Sequence, residues 1–194
     1  MTLAHLASLH TSAVVKERDQ SHHRSGRGRR PHTGRCSLAL AARSFQVTGV
    51  DRTRFLLNKA KAFSRNAHMQ IEWVQEDMRD FSRANSFDLA LSMYTSFGYF
   101  EDRAEDEKVL DNVVRSLRSG GAFVMELMGK EVLARIFQPS SAETMPDGTM
   151  IVEQRKIVED WNRVVNEWTV VRKGRVRKFG FHINLYSGGE SPRH

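Results

Sequence analysis

Cysteine occurs once in 194 residues, at Cys36, and there are only four prolines and three tyrosines. A single cysteine excludes an internal disulfide framework and a cysteine-built zinc site, and it points to a reducing, cytoplasmic setting. Long apolar runs are also lacking. None approaches the roughly 18 residues that span a bilayer, so no membrane segment is expected. The opening Met1-Thr2-Leu3-Ala4-His5-Leu6-Ala7 has neither the basic start nor the long apolar centre of a secretion signal.

Acidic residues are scarce where basic ones crowd. Residues 1–36 hold Lys16 and six arginines against Glu17 and Asp19, so about five of the seven formal positive charges lie there. From Ser37 onward the chain is near neutral. That distribution gives no basic stripe on a folded face, and nucleic-acid binding by the body is not expected. Residues 16–35 show no helical or strand period and read as a solvated segment. Within it Gly26-x-Gly28 imitates a phosphate loop, but no strand precedes it.

What remains alternates strand with helix. Ser37 to Arg43 reads as a short helix and Phe45 to Val50 as a strand. A helix over about Thr53 to Asn66 follows, with Phe55, Leu56, Ala60 and Phe63 at three- and four-residue steps. Met69 to Val74 is a second strand, ending at Glu76-Asp77, and Phe87 to Met93 a third. Asp102 to Leu117 is a helix with acid at its start, which suits the helix dipole. Its expected inner face is Val109, Leu110, Val113, Val114 and Leu117. Ser119-Gly120-Gly121 reads as a turn, and Ala122 to Leu127 as an apolar strand of the kind buried on both faces. Such alternation predicts a parallel sheet. Gly129 to Phe137 is one more helix. Then Met150 to Val158, Trp161 to Val171 and Arg175 to Tyr186, parted by Glu159-Asp160 and Lys173-Gly174, predict an antiparallel three-stranded β-meander. Tyr186 to Glu190 looks like a further helix start.

Five stretches carry chemistry: Val47-Thr48-Gly49-Val50-Asp51, Gln75-Glu76-Asp77-Met78, Phe87-Asp88-Leu89-Ala90-Leu91, Thr95-Ser96-Phe97-Gly98-Tyr99-Phe100 and Leu117-Arg118-Ser119-Gly120-Gly121. A strand that ends on an acid and runs into a helix is where nucleotide-binding α/β folds place a carboxylate for two vicinal hydroxyls. In this order the stretches resemble a class I S-adenosylmethionine-dependent methyltransferase of the small-molecule type with a β-meander insertion. The resemblance runs from Thr33 to Glu190. It implies a Rossmann-like class I α/β sheet, incomplete here, with its first and last strands in question. It also implies a methyltransferase-like domain over 33–137 and a meander over 138–190. Residues 1–32 form a basic, disordered or mistranslated segment, and 191–194 a tail.

The resemblance implies S-adenosylmethionine as cofactor. Asp51 would hold the ribose hydroxyls with Arg52 beside it, Asp77 would accept from the adenine amino group, and the Met78 backbone N–H would meet a ring nitrogen. Ser92 lies at the end of the next strand. Gly34, 17 positions before Asp51, matches the last glycine of the family's loop, whereas Arg30-Pro31-His32 stands where the family has glycines and an apolar strand end. Family-like sequence thus starts abruptly near Thr33, the pattern that a reading-frame change leaves; Ser191 to His194 is read as a second such break. In this fold the first strand is central, between Phe45–Val50 and Phe87–Met93, and Ala13-Val14-Val15 is a short substitute for it.

Tyr94, Ser96 and Tyr99 are the candidates for lining a substrate site. His182, Trp161 and Trp168 sit on the meander, the tryptophans as packing residues. Methyl transfer from a sulfonium needs in-line approach and a water-poor pocket, so neither a catalytic base nor a metal is expected. The function read from the sequence is methyl transfer to a small-molecule acceptor, impaired if the altered loop fails to hold the cofactor, with a homodimer formed through the meander. The alternative is a non-catalytic remnant or scaffold whose basic N-terminal segment makes weak, salt-sensitive contacts with nucleic acid or other anions.

Overall fold

The computed structural model describes residues 12–16, as backbone, and 34–190. Its elements in chain order are β1 (Ser12–Lys16), α1 (Arg35–Ala41), β2 (Gln46–Asp51), α2 (Arg54–Asn66), β3 (Glu72–Gln75), β4 (Phe87–Ser92), α3 (Arg103–Ser116), β5 (Leu117–Met125), α4 (Lys130–Ile136), β6 (Ser140–Thr144), β7 (Met150–Val158), β8 (Arg163–Arg172) and β9 (Arg175–Asn184). The mixed α/β class follows the sequence reading. The disorder expected of 1–32 falls outside the described residues, apart from Ser12–Lys16; the tail 191–194 lies outside them too.

The chain divides into two units. The larger comprises the described residues up to Ser96 together with Ala104–Glu126; the second comprises Phe97–Arg103 and 127–190. In the larger unit a five-stranded sheet runs in the order β3-β2-β1-β4-β5. β2 pairs with β3, and β4 with β5, in parallel. The central strand is the correction. Ser12–Lys16 does take the substitute position, but antiparallel to both neighbours, with Val14 opposite Thr48 on one side and Ala90 on the other. The N–H and C=O groups facing the gap between β2 and β4 need partners, and a strand satisfies them running in either direction. Because β1 opposes both neighbours, β2 and β4 still run the same way, and their carboxyl ends share one edge.

Side chains on both faces anchor this sheet. Val50, Phe81, Phe87 and Ala90 form a buried cluster, joined by Val74, Val113, Leu117 and Phe123. On α2 the buried stripe is Leu56, Leu57, Ala60 and Ser64. Phe55 and Phe63 are instead 49% and 42% exposed. The hydrophobic stripe lies one residue further along than expected, because Leu56, Leu57 and Ala60 already fill the side facing the sheet. Burying Leu56 and Leu57, at 1% and 2% exposure, contributes about 2 kcal/mol each. Val114, expected inside α3, is also exposed, while Asp106 and Asn112 are buried.

Ser119-Gly120-Gly121 is no turn but part of β5, at a register shift opposite Phe87 to Leu89. Gly120 has φ of +79°, which the irregularity demands. β5 is the edge of its sheet among the described strands, and its residues alternate instead of being buried on both faces; Val124 is 46% exposed.

The second unit holds a four-stranded antiparallel sheet, β6-β7-β8-β9. The three expected strands are present and β6 is added. Lys173 and Gly174 both have positive φ, as a tight two-residue hairpin turn requires. Phe97–Arg103 is stitched to β9: Asn184 N–H donates to Gly98 O at 2.6 Å, Asn184 Nδ2 donates to Phe100 O at 3.1 Å, and a His182 ring nitrogen lies 2.9 Å from the same oxygen. The helix start expected at Tyr186 is a turn. Among the described residues no helix is long and apolar enough to cross a membrane.

Gly49 shows how tightly the larger unit is closed. A Cβ there would lie 2.3 Å from the Trp73 ring, whose Nε1 donates to Ser64 Oγ at 3.1 Å. Gly49→Ala should therefore lower stability by about 1–3 kcal/mol in urea unfolding, and adding Trp73→Leu should restore part of the loss.

Candidate functional site

The parallel strands of the larger unit present their carboxyl ends along one edge, and most of the sequence-derived site residues meet there. Asp51 is the last residue of β2 and is 2% exposed. Its Oδ1 accepts the Thr53 N–H at 2.7 Å. α2 has no side-chain cap from its own N-cap residue, Thr53, so the acid at the strand end also steadies the helix start. The Glu76 N–H donates to Asp51 O at 3.3 Å, tying the ends of β2 and β3 together. Arg52 is exposed, and its carbonyl accepts from Gln75 Nε2 at 3.4 Å.

Asp77 lies just beyond β3 and is gripped from within the chain. Arg79 donates to it from Nε, from a terminal nitrogen and from its backbone N–H, each at 3.0 Å, and reaches Glu105 at 3.0 Å with the other arm of its fork. The Arg79 hydrogen bonds hold the Asp77 carboxyl below the usual carboxylate range against the opposing effect of burial, and Arg79 is raised in turn. The same loop is pinned from α3, where Asn112 Nδ2 donates to Arg79 O at 2.7 Å and reaches Met78 O at 3.5 Å. Arg79 and Asn112 were not singled out from the sequence. The Asp-x-Arg spacing was the available signal for the first; nothing local marks Asn112.

At the end of β4, Ser92 and Ser96 are 6% and 4% exposed, with their hydroxyls 2.9 Å apart. The loop between them bends sharply: Tyr94 and Thr95 both adopt left-handed φ, +58° and +54°. Strain of this kind persists only where neighbours over-determine it. Here Glu126 does so, accepting the Tyr94 N–H on Oε2 at 3.2 Å and the Thr95 N–H on its carbonyl at 3.2 Å. Glu126 is another residue that sequence reading passed over, although a carboxylate inside an apolar run was visible.

α1 opens at the same edge. Gly34 precedes it with φ of +67°, and a Cβ there would lie 2.8 Å from the Trp73 ring, so glycine is required twice over. Arg35 places its guanidinium 5.0 Å from the Tyr94 ring centre and reaches the hydroxyl at 3.5 Å. Burial pushes the Cys36 thiol up, against a hydrogen bond from Tyr94. Tyr99 does not join this group: it belongs to the second unit, where its ring lies 6.1 Å from that of Phe181. The family-like stretch from Thr95 to Phe100 is divided between the units at Ser96.

A carboxyl depressed in the folded state adds stability that is present above its unfolded pKa, about 3.9, and lost as pH falls through the folded value. Arg79→Gln should therefore lower the urea midpoint at neutral pH by the equivalent of a few tenths to about 1 kcal/mol, since the pair is partly solvated. The gap from the parent should narrow below about pH 4 as Asp77 protonates.

Residues 32–121 match the family model described as methyltransferase domain. The chain is 26% identical over 106 residues, 55% of its length and 43% of the relative's, to GWCH70_2453 of Geobacillus sp. (strain WCH70). It is 25% identical over 130 residues, 66% of its length and 49% of the relative's, to YqeM of Bacillus subtilis (strain 168). Both carry methyltransferase names assigned rather than demonstrated, and the chain spans less than half of either. Solved structures share the fold: the CcbJ methyltransferase of Streptomyces caelestis at TM-score 0.67 and 16% identity, covering 81% of this chain and 65% of that one; and an S-adenosylmethionine-dependent methyltransferase of Clostridium acetobutylicum at TM-score 0.62 and 16% identity, covering 73% and 58%. CalS10 of Micromonospora echinaspora, an amino pentose methyltransferase solved with its cofactor bound, has TM-score 0.56 and 19% identity, covering 81% and 67%. Residues 32–121 thus resemble a methyltransferase domain, and the described α/β sheet shares its fold with solved S-adenosylmethionine-dependent methyltransferases.

Proposed function

We propose that the carboxyl edge of β2, β3 and β4 binds S-adenosylmethionine and that the chain transfers its methyl group to a small-molecule acceptor. The observation that carries this reading is Asp51, a buried carboxylate at a strand end, oriented by the Thr53 N–H. A carboxylate so fixed can accept from two vicinal hydroxyls. Arg52 flanks it, Gly34 opens the helix above the edge, and Met78 offers its backbone N–H in the loop that Asn112 and Arg79 pin. Asp77 takes the adenine amino group in addition to, or in exchange for, part of the Arg79 fork.

The cofactor supplies a methyl group already activated on a sulfonium, so this chain's residues have mainly to position and to exclude water. Ser92 and Ser96 are buried enough to keep that end of β4 dry. Tyr94, fixed by Arg35 and by the Glu126 grip on its backbone, lines the acceptor side. The single cysteine agrees with a cytoplasmic setting. On the meander, Met150, Val165 and Val176 stand 44%, 42% and 60% exposed on one sheet face, among Lys156, Glu167 and Lys178, and a second copy of the chain packs on that mixed face.

Calorimetric titration with S-adenosylhomocysteine should show one saturable site of micromolar affinity that Asp51→Asn weakens at least tenfold while the fold is retained. Absence of heat from the folded chain would instead support the non-catalytic scaffold. Sedimentation velocity should give a dimer that Val165→Lys converts to monomer; a parent chain already monomeric at tens of micromolar would remove the dimer.

A further inference from the structure

The turn end of the β8-β9 hairpin gathers positive charge that the near-neutral composition of the body does not announce. Arg172, Lys173, Arg175 and Arg177 fall within six positions, and strand pairing decides which of them share a face. Arg172 and Arg175 stand directly opposite each other across the turn, and Arg177 and Phe179 follow Arg175 at two-residue steps. Side chains at that spacing project from one face, about 7 Å apart along the strand. All four are exposed, Phe179 by 39%, and among the described strands β9 is an edge. Met150, Val165 and Val176 lie on the opposite face.

Little on that face offsets the charge. Asp147 lies 3.4 Å from Arg172, but among the described residues no carboxylate pairs with Arg175 or Arg177. Glu153 is held by Arg155. Glu143 shares the row of Arg177 from β6, three strands away, about 14 Å, where salt screens exposed charges. Like charges directly opposite each other destabilise a sheet, so an anion laid over Arg172 and Arg175 relieves a cost the free hairpin carries. Guanidinium forks match phosphate oxygens two at a time. The ring next in line offers a platform on which any unpaired base can stack, whereas a base within a duplex has its faces covered. A membrane surface would instead favour apolar residues at the tip, and the tip is Lys173-Gly174.

We infer that the face carrying Arg172, Arg175, Arg177 and Phe179 binds single-stranded nucleic acid, the arginines on its phosphates and the ring beneath a base. It belongs to the second unit, goes beyond the cofactor reading and is tested without cofactor, so either can fail alone.

The probe is a fluorescein-labelled oligouridylate of about 12 nucleotides, titrated with the full chain while anisotropy is read at several salt concentrations. Arg175→Gln combined with Arg177→Gln should weaken binding and flatten the slope of log affinity against log salt by about 1.4, the value for two phosphate contacts on a single strand. Every variant keeps the basic residues 1–36, so what is lost belongs to the hairpin. Phe179→Leu keeps an apolar side chain but removes the ring, and should cost about fivefold or more in affinity. Lys156→Gln combined with Lys178→Gln takes the same charge from the opposite face and should leave affinity and slope near those of the parent. All five positions are exposed, so the fold survives each change. No binding by the parent at low salt, an unchanged slope in the arginine variant, unchanged affinity in Phe179→Leu or an equal loss in the lysine variant would each overturn the inference. Tighter binding of the same strand once annealed to oligoadenylate would overturn the assignment to a single strand.

Discussion

Everything at the carboxyl edge of the larger unit depends on a five-residue backbone pairing. β2 and β4 each present an open row of N–H and C=O groups toward the same gap, and exposed rows of that kind pair with whatever strand is available. Ser12–Lys16 closes both rows at once. Only with the gap closed do Asp51 at the end of β2 and Ser92 at the end of β4 stand along one line. Direction matters less than occupancy: an antiparallel filler leaves the outer pairs β2-β3 and β4-β5 parallel, and so keeps their carboxyl ends on one edge.

That edge is held by contacts that fix its structure, and the binding proposed for it would use the same residues. Asp51 steadies the start of α2 with the carboxylate proposed to meet the ribose. Asp77 is neutralised by Arg79, which Glu105 and Asn112 hold in place. Glu126 fixes two left-handed residues after β4. These loops are thus preorganised by charge and backbone hydrogen bonds, as the proposed methyl transfer, governed by positioning, would require. The contacts also compete, because a cofactor using Asp77 must share it with Arg79.

Local periodicity made the element order legible from the sequence, and the meander strands could be read nearly to the residue because their turns are built from Lys-Gly and Glu-Asp steps. Asp51 was legible because an acid closing an apolar run is a local signal. What escaped depends on distant partners. The faces of α2 and α3 shifted because burial of Phe55, Phe63 and Val114 is decided by the sheet beneath, not by helical period. The Ser-Gly-Gly in β5 reads as a turn until its irregular pairing with β4 is known. The reversal of β1 could not be read at all, since Ala13-Val14-Val15 pairs equally well in either sense. Arg79, Asn112 and Glu126 owe their roles to partners met in space: Asn112 reaches the Arg79 carbonyl across 33 positions and Glu126 the Tyr94 N–H across 32, which no local pattern announces.

The orientation of the central strand is the claim on which this account most depends, and backbone nuclear Overhauser effects test it most directly. Hα–Hα contacts should join residues 12–16 to 46–50 and to 89–91 in antiparallel register, with Ala13 facing Gly49 and Leu91. A parallel pattern between the same segments, or no contact between Ser12–Lys16 and either neighbour, would contradict it.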